Sequence, residues 1–224
     1  MIITYLFTQP LFFFAWILAI ILALSVHEFA HALASRLQGD RTAEAQGRLT
    51  LNPLAHIDPL GALMLMTLGF GWGKPVPFNP YNLGNKRFGP ALVAIAGPFS
   101  NLVMAFVAAL LIKILLAAGV VALNGFGMVF LILFIFLNLA LMLFNLIPLP
   151  PLDGSKVLFA FLPASMADFQ VNLEKYGPFI LLGIIVLDSF AGTGIISGIV
   201  YGGIGTVGNW LSPDFGQWIA AILG

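Results

Sequence analysis

The chain has 224 residues, of which 60% are hydrophobic and 8% are charged. Because soluble domains carry about 25% charged residues, this composition excludes a soluble globular protein and predicts a protein whose solvent is lipid. The formal net charge is zero, so the sequence gives no indication of a nucleic acid or another polyanionic partner. The absence of cysteine excludes disulfide bonds and a zinc site with cysteine ligands.

The first predicted element is a long apolar helix. Residues 1–26 carry no charge, and Pro10 suits the first turn of a helix, where its missing N–H group costs no hydrogen bond. A helix from Pro10 to Leu37 would be about 42 Å long, which is enough to cross a bilayer at a tilt. Arg36 would anchor its end at the membrane surface. No lysine or arginine precedes Arg36, so we expect this segment to remain in the mature protein rather than to be cleaved as a signal peptide.

The sequence His27-Glu28-Phe29-Ala30-His31 lies inside this predicted helix and has the pattern H-E-x-x-H. His27 and His31 lie one turn apart on the same face, so both imidazoles can reach one Zn²⁺. Glu28 would lie beside the metal, where it can accept a proton from water. The motif would lie about 8–14 Å below the membrane surface, where ionisable groups are costly and usually functional. A chance match within a buried polar network is the alternative interpretation.

A polar stretch and then a short apolar stretch follow this helix. The alternation over residues 48–51 predicts a short strand, and hence a small β-sheet. Residues 59–73 are uncharged, but they are fewer than the about twenty that a membrane span requires. If this segment enters and leaves on one side, eight of the nine basic residues share a face and Lys113 alone lies opposite. We therefore predict a re-entrant segment, with the N-terminus outside and the histidine motif near the cytoplasmic face.

The second half of the chain contains further predicted spans. Residues 88–112 predict one, and residues 128–146 predict another that ends near Pro148, because the three prolines at 148, 150 and 151 cannot continue a helix. Residues 178–211 fit either two short spans or one span plus a half-helix. The fold class is therefore an all-α polytopic membrane protein with about five to six transmembrane helices.

A catalytic zinc ion usually has three protein ligands, and the histidine motif supplies two. Without cysteine, the third must be histidine, aspartate or glutamate, and both His56 and Asp153 lie beside membrane-embedded segments. The topology favours Asp153, which follows a helix that ends on the same side as the motif. It also ends a stretch, residues 114–152, that is otherwise free of charge and would leave the carboxylate without a partner. The alternative is that Asp153 is only a turn residue before Gly154.

These motifs together resemble the site-2 protease family of intramembrane zinc metalloproteases. The histidine motif pairs with the stretch from Asn145 to Gly154, and Gly97-Pro98 with Asn101 matches a third family element. Residues 48–59 resemble a compact prokaryotic branch of the family, and no PDZ or CBS domain is visible. The resemblance covers about residues 20–160 of the chain.

The resemblance implies a single membrane-embedded protease domain over residues 1–224, with a catalytic core of about residues 10–160 and C-terminal helices over residues 176–224. One Zn²⁺ per chain would be bound by His27, His31 and Asp153. Glu28 would be the catalytic residue.

Three further side chains are candidates for contact with the substrate. Asn145 would hold the substrate backbone or stabilise the oxyanion, or it satisfies a backbone group freed by the prolines. Asn101 would contact the substrate or make a helix-packing hydrogen bond. His56 would guard access to the site or is a loop histidine. The predicted strand at residues 48–51 would pair with an unwound substrate.

The function implied by the resemblance is hydrolysis of a peptide bond within or near a transmembrane segment of a membrane protein, as in regulated intramembrane proteolysis. The expected location is the cell (inner) membrane, with the active site toward the cytoplasm. One alternative is a membrane zinc transporter in which Glu28 relays protons, although the sequence shows no repeat of the kind that transporters have. Another is an inactive relative that binds membrane proteins without cleaving them, although the intact Glu28 argues against it.

Overall fold

The computed structural model describes residues 2–119 and 125–223, and its regular structure is helical. The α-helices in chain order are α1 (Tyr5–Thr8), α2 (Pro10–Leu37), α3 (Thr42–Ala45), α4 (Pro59–Leu68), α5 (Gly89–Ala117), α6 (Phe126–Asn145), α7 (Asp153–Phe161), α8 (Ala167–Ala191), α9 (Ile195–Leu211) and α10 (Phe215–Leu223). Short 3-10 turns lie at Ile2–Thr4, Pro53–Ala55, Pro80–Asn82 and Ala164–Met166. The all-α class predicted from the sequence is confirmed.

Within the described residues, four helices are long and apolar enough to cross a membrane: Pro10–Leu37, Gly89–Ala117, Phe126–Asn145 and Ala164–Asp188. The expected count of five to six spans is therefore not supported. The difference arises in the C-terminal region, where α9 is apolar but has only 17 residues. A helix of this length falls short of the about twenty residues that a span needs.

The predicted β-sheet at residues 48–51 is wrong. In the described parts of the chain the structure has no strand, and the bridge it contains is an isolated antiparallel one between Ile57 and Gly73. Arg48 is buried, and its guanidinium donates a hydrogen bond to the carbonyl of Lys74. The alternation at residues 48–51 thus reflects burial of one arginine rather than a ladder, and it offers no strand edge to a substrate.

Residues 59–73 leave the loop region and return to the same place, as a re-entrant segment should. Asp58 accepts the N–H of Gly61 at 2.8 Å and so caps the start of α4. After α4 the chain folds back so closely that a Cβ at Gly61 would overlap the backbone of Trp72. The Ile57–Gly73 bridge then closes the excursion. Because both ends meet, the segment does not cross the membrane as a span.

The core is formed by α2, α5 and α6, which pack against one another through small side chains. Fully buried alanines lie along α2 at Ala15, Ala19 and Ala23, and α5 adds Ala105 and Ala109. Small residues at such positions let helix backbones approach closely, which is how helices associate in lipid. This close packing brings the histidine face of α2 against α5.

The C-terminal region, whose span pattern the sequence left open, contains the long helix α8 and the shorter helices α9 and α10, and a tight turn joins α8 to α9. Asp188, near the end of α8, accepts the N–H groups of Ile195, Ile196 and Ser197 at 2.6 to 2.9 Å, together with the hydroxyl of Thr193. The carboxylate thereby satisfies N–H groups at the start of α9 that have no partner within that helix. This interaction explains an acidic residue in an otherwise apolar stretch.

A buried carboxylate ties the end of α2 to the segment that leads into α5. Asp40 is fully buried and accepts hydrogen bonds from Ser35, Thr42, Asn79 and Asn82 at 2.5 to 3.1 Å. Burial by itself would raise the pKa of Asp40, but these hydrogen bonds outweigh it and hold the pKa well below its usual value. The folded structure therefore favours the ionised form.

We predict that Asp40→Asn lowers the unfolding temperature at neutral pH, by an amount that corresponds to about 1–3 kcal/mol. Because the folded pKa is depressed, the stabilisation is present above the unfolded value of about 3.9 and is lost progressively as the pH falls below it. Thermal unfolding in detergent should therefore show the gap between variant and parent narrowing at acid pH. The exposed Asp168→Asn serves as the control, and an equal unfolding temperature at pH 7 would contradict the prediction.

Candidate metal centre

Two imidazoles lie side by side on the buried face of α2. His27 and His31 are 3% and 7% exposed, and their Nε2 atoms are 3.0 Å apart. Their rings meet edge to face at 87°. The spacing of one helical turn places both nitrogens at the same point, as the sequence motif requires.

A third donor arrives from a distant part of the chain. The Oδ2 atom of Asp153 lies 3.3 Å from Nε2 of His27 and 3.2 Å from Nε2 of His31. Asp153 is the first residue of α7, which follows the proline-rich turn after α6. That turn is compact because Gly154 packs on the carbonyl of Leu146, where a Cβ would overlap it.

The other ring nitrogen of each histidine is also engaged. Nδ1 of His31 lies 2.7 Å from the carbonyl of Val93, and Nδ1 of His27 lies 2.6 Å from Oδ1 of Asn101. Oxygens of this kind only accept hydrogen bonds, so each Nδ1 carries the hydrogen and each neutral ring presents a lone pair at Nε2.

Three lone pairs, two from nitrogen and one from a carboxylate, thus converge within 3.3 Å of one another. Without a cation between them this arrangement would be repulsive, so the geometry fits a bound metal ion. Two imidazoles and a carboxylate are a donor set typical of catalytic zinc. In the described residues, His27, His31 and Asp153 form a group of ligand atoms within 4.8 Å of one another that could hold a metal ion.

A glycine on α5 makes room for the rings. A Cβ built at Gly97 would overlap the imidazoles of both His31 and His27. Gly97 is followed by Pro98 inside α5, and both residues are buried. The close approach of α5 to the rings therefore depends on the absence of a side chain at this position.

Glu28 lies beside the metal-binding group rather than in it. Its Oε2 atom accepts the N–H of Val76 at 3.1 Å, and the residue is 8% exposed. Val76 belongs to the irregular segment that follows the re-entrant excursion. The carboxylate is thereby held in place by a backbone group from another part of the chain.

The three candidate ligands and Glu28 line a cavity of about 670 Å³. Its wall is largely apolar, and α2 and α4 contribute side chains such as Ile20, Leu24 and Leu65. Asn145, at the end of α6, also lines the cavity, and its Nδ2 donates to the carbonyl of Leu141 at 3.0 Å. The cavity therefore combines an apolar wall with a few polar groups, as small binding sites do.

Asn101 and His56, named from the sequence as further substrate contacts, are both fully buried and are not among the residues that line the cavity. Asn101 instead contacts His27, and Nε2 of His56 lies 2.7 Å from the carbonyl of Thr50. A substrate role for either residue stays a prediction.

The sequence did not single out Lys156, Val76 or Val93 as site residues. Lys156 lines the cavity one helical turn after Asp153, and the spacing of three residues was a signal that could have found it. The Val93 carbonyl could not have been found, because a backbone acceptor has no signature in the sequence.

Comparisons with known proteins point to zinc metalloproteases. The model of peptidase family M50 matches residues 112–187. YwhC of Bacillus subtilis, named as a zinc metalloprotease, is 40% identical over 173 residues, which cover 76% of this chain and 79% of YwhC. Rip2 of Mycolicibacterium smegmatis, also named as a zinc metalloprotease, is 34% identical over 142 residues, covering 60% of this chain and 52% of that protein. Rip2 of Mycobacterium tuberculosis is 32% identical over 173 residues, covering 75% and 63%.

The chain thus spans most of YwhC and between about half and two thirds of the Rip2 proteins. No solved structure gave a significant match. The match to YwhC is long and covers most of both chains, and the family model matches a region that includes Asp153. The chain therefore belongs to peptidase family M50, the site-2 protease family of zinc metalloproteases.

Proposed function

We propose that this chain is a zinc-dependent intramembrane endopeptidase that hydrolyses a peptide bond within or near a transmembrane segment of a membrane protein. The observation that supports it best is the convergence of His27, His31 and Asp153 at 3.0 to 3.3 Å, with Glu28 beside them on the wall of the same apolar cavity. Metal ligands and a candidate base within one cavity are what metal-assisted hydrolysis requires.

The roles follow from which atoms are free. His27 and His31 would hold a zinc ion through Nε2, because each Nδ1 hydrogen is donated elsewhere. Asp153 would hold it through a carboxylate oxygen. When bound, the zinc ion supplies Lewis-acid chemistry, which polarises the scissile carbonyl and lowers the pKa of a water molecule toward neutrality.

Glu28 is the general base in this proposal. The N–H of Val76 fixes one carboxylate oxygen, and no hydrogen bond of the described residues occupies the other. That second oxygen accepts the proton from the attacking water and then delivers it to the nitrogen of the leaving amine. The proton thus moves from the nucleophile to the leaving group without release into the lipid.

The substrate segment lies in the cavity, where apolar side chains of α2 and α4 accommodate those of a transmembrane sequence. Asn145 contacts its backbone. The amide of Asn145 donates one N–H to the carbonyl of Leu141, which leaves its oxygen and its second N–H for the substrate. The re-entrant segment and α2 both line this cavity, and the substrate segment would contact both.

Neither alternative function has a comparable observation in its favour. A zinc transporter would need a path for the ion to both membrane faces, and the sequence shows no internal repeat of the kind that transporters have. An inactive relative would not need Glu28, whose carboxylate is held in place beside the ligands.

We further propose that the chain lies in the cell membrane with the active site toward the cytoplasm. The basis is the positive-inside rule applied to the two ends of α5. Because the chain lacks cysteine, single cysteines report the topology directly. In intact cells, Ala118→Cys at the far end of α5 should react with a membrane-impermeant thiol reagent, whereas the exposed Tyr81→Cys should react only after permeabilisation. The opposite labelling pattern would overturn the orientation.

We predict that Glu28→Gln and Asp153→Asn both strongly impair proteolysis but differ in metal content. Glu28→Gln should lower the rate of cleavage of a membrane substrate by about 10²- to 10⁴-fold, while zinc content stays as in the parent protein, because the base does not bind the metal. Asp153→Asn should lose zinc as well.

The measurements are metal analysis of purified protein and cleavage of a single-pass membrane protein in liposomes, with the exposed Glu174→Gln as the control. Undiminished cleavage by Glu28→Gln would refute the assignment of the base.

A further prediction concerns the space that Gly97 leaves for the two imidazole rings. Gly97→Ala should weaken zinc binding by about 10-fold or more, because the new methyl group displaces both imidazoles. The matched control is Gly183→Ala on α8, where the added Cβ meets no atom within 4 Å. Zinc affinity measured by competition with a chelator should separate the two variants, and equal affinities would show that the rings tolerate the methyl group.

A further inference from the structure

Behind the metal centre, two buried amides connect α2 to α6. Asn101 on α5 and Asn138 on α6 are both fully buried, and the core around them is apolar. We propose that Asn138 is a positioning residue, which acts through Asn101 to fix the His27 tautomer that leaves Nε2 free for a metal ion. The metal-binding part of this inference rests on the proposed function.

The direction of the hydrogen-bond chain is fixed at its far end. Nδ2 of Asn138 lies 2.8 Å from the carbonyl of Phe134, one turn earlier in α6. A backbone carbonyl can only accept a hydrogen bond, so the NH₂ group of Asn138 must point to it. The Oδ1 atom of Asn138 is therefore the one that faces Asn101.

The orientation of Asn138 fixes the orientation of the Asn101 amide. Nδ2 of Asn101 donates to Oδ1 of Asn138 at 2.7 Å and reaches the carbonyl of Ala23 at 3.5 Å. Both are acceptors, and the Ala23 contact is at the limit of a hydrogen bond. The strong contact with Asn138 is thus what keeps the oxygen of Asn101 turned toward His27.

The orientation of the Asn101 amide in turn fixes the tautomer of His27. Its Nδ1 lies 2.6 Å from Oδ1 of Asn101, so Nδ1 carries the hydrogen and Nε2 carries the lone pair. If the amide of Asn101 were reversed, it would offer an N–H to Nδ1, and the ring hydrogen would move to Nε2. That hydrogen would then point at His31 and Asp153, where the metal ion belongs.

The two histidines differ in how their tautomers are fixed. His31 donates from Nδ1 to the backbone carbonyl of Val93 at 2.7 Å, an acceptor that cannot be reversed. His27 depends on a side-chain amide that can rotate. Only His27 therefore needs the support of Asn138, and His31 serves as an internal control.

The test uses the metal-free full-length protein with ¹⁵N-labelled histidine. The chain has only three histidines, so their ring signals can be assigned by single substitutions. Two-bond ¹⁵N–¹H correlations distinguish the Nδ1–H tautomer from the Nε2–H tautomer. Asn138→Leu, which has a similar shape but no acceptor, should shift His27 toward Nε2–H and leave His31 unchanged. Asn138→Ala serves if the leucine variant does not fold.

Asn101→Asp combined with Asn138→Leu should restore the parent tautomer. Either oxygen of that carboxylate can accept the Nδ1 hydrogen, so the relay is no longer needed. The matched control is Ser100→Ala, one residue before Asn101 on the same helix. It removes the hydrogen bond from the Ser100 hydroxyl to the carbonyl of Gly97 and should leave both tautomers unchanged.

Zinc affinity, measured by competition with a chelator, gives the second readout. Asn138→Leu should weaken it by about 10- to 100-fold, and the double variant should recover most of that loss. An unchanged His27 tautomer in both Asn138→Leu and Asn138→Ala would overturn the inference, as would a double variant that stays in the Nε2–H form. A protein that cleaves nothing would refute the proposed function but would leave the tautomer result intact, so the two failures are distinguishable.

Discussion

The structure depends on one electrostatic constraint: three lone pairs must converge at one point in a largely apolar interior. The Nε2 atoms of His27 and His31 and a carboxylate oxygen of Asp153 lie 3.0 to 3.3 Å apart. Buried polar groups without partners are costly, and charge within a membrane is more so. A cation at this point relieves the repulsion, and it would also link α2 to α7, whose ligands are more than a hundred residues apart in sequence.

The surrounding helices serve this constraint by directing hydrogens away from the centre. α5 contributes most of the support, through a backbone carbonyl at Val93, an amide at Asn101 and the missing side chain at Gly97. The fully buried alanines of α2 and α5 allow the approach that these contacts need. The same small residues therefore allow both the close packing of the core helices and the geometry of the site.

The re-entrant segment places non-helical backbone beside the site, and the hydrogen-bonding groups of that backbone need partners. Irregular backbone at membrane depth must find partners in protein or water. The Ile57–Gly73 bridge provides one partner, and the carboxylate of Glu28 provides another by accepting the N–H of Val76. The interaction that satisfies the segment also orients the candidate base, so the cavity wall and the chemistry are coupled.

The sequence by itself determined the features that depend on local periodicity and composition. The bounds of α2, from Pro10 to Leu37, were predicted correctly because a proline opens the helix and polar residues close it. The one-turn spacing that puts the two histidines on one face is a property of any helix. The short length of residues 59–73, together with the placement of the basic residues, predicted a re-entrant excursion rather than a span.

Only the tertiary structure decided the features that depend on partners distant in sequence. The alternation at residues 48–51 predicted a strand, but Arg48 hydrogen-bonds to the Lys74 carbonyl and no ladder forms there. The count of spanning helices is lower than the sequence suggested because α9 is too short for a span. Asn138 had no signal in the sequence, since nothing in the pattern of α6 shows which amide on α5 it will meet. The packing of the helices decides which groups become hydrogen-bond partners. A backbone acceptor such as the Val93 carbonyl cannot be recognised in the sequence, because every residue has the same carbonyl group.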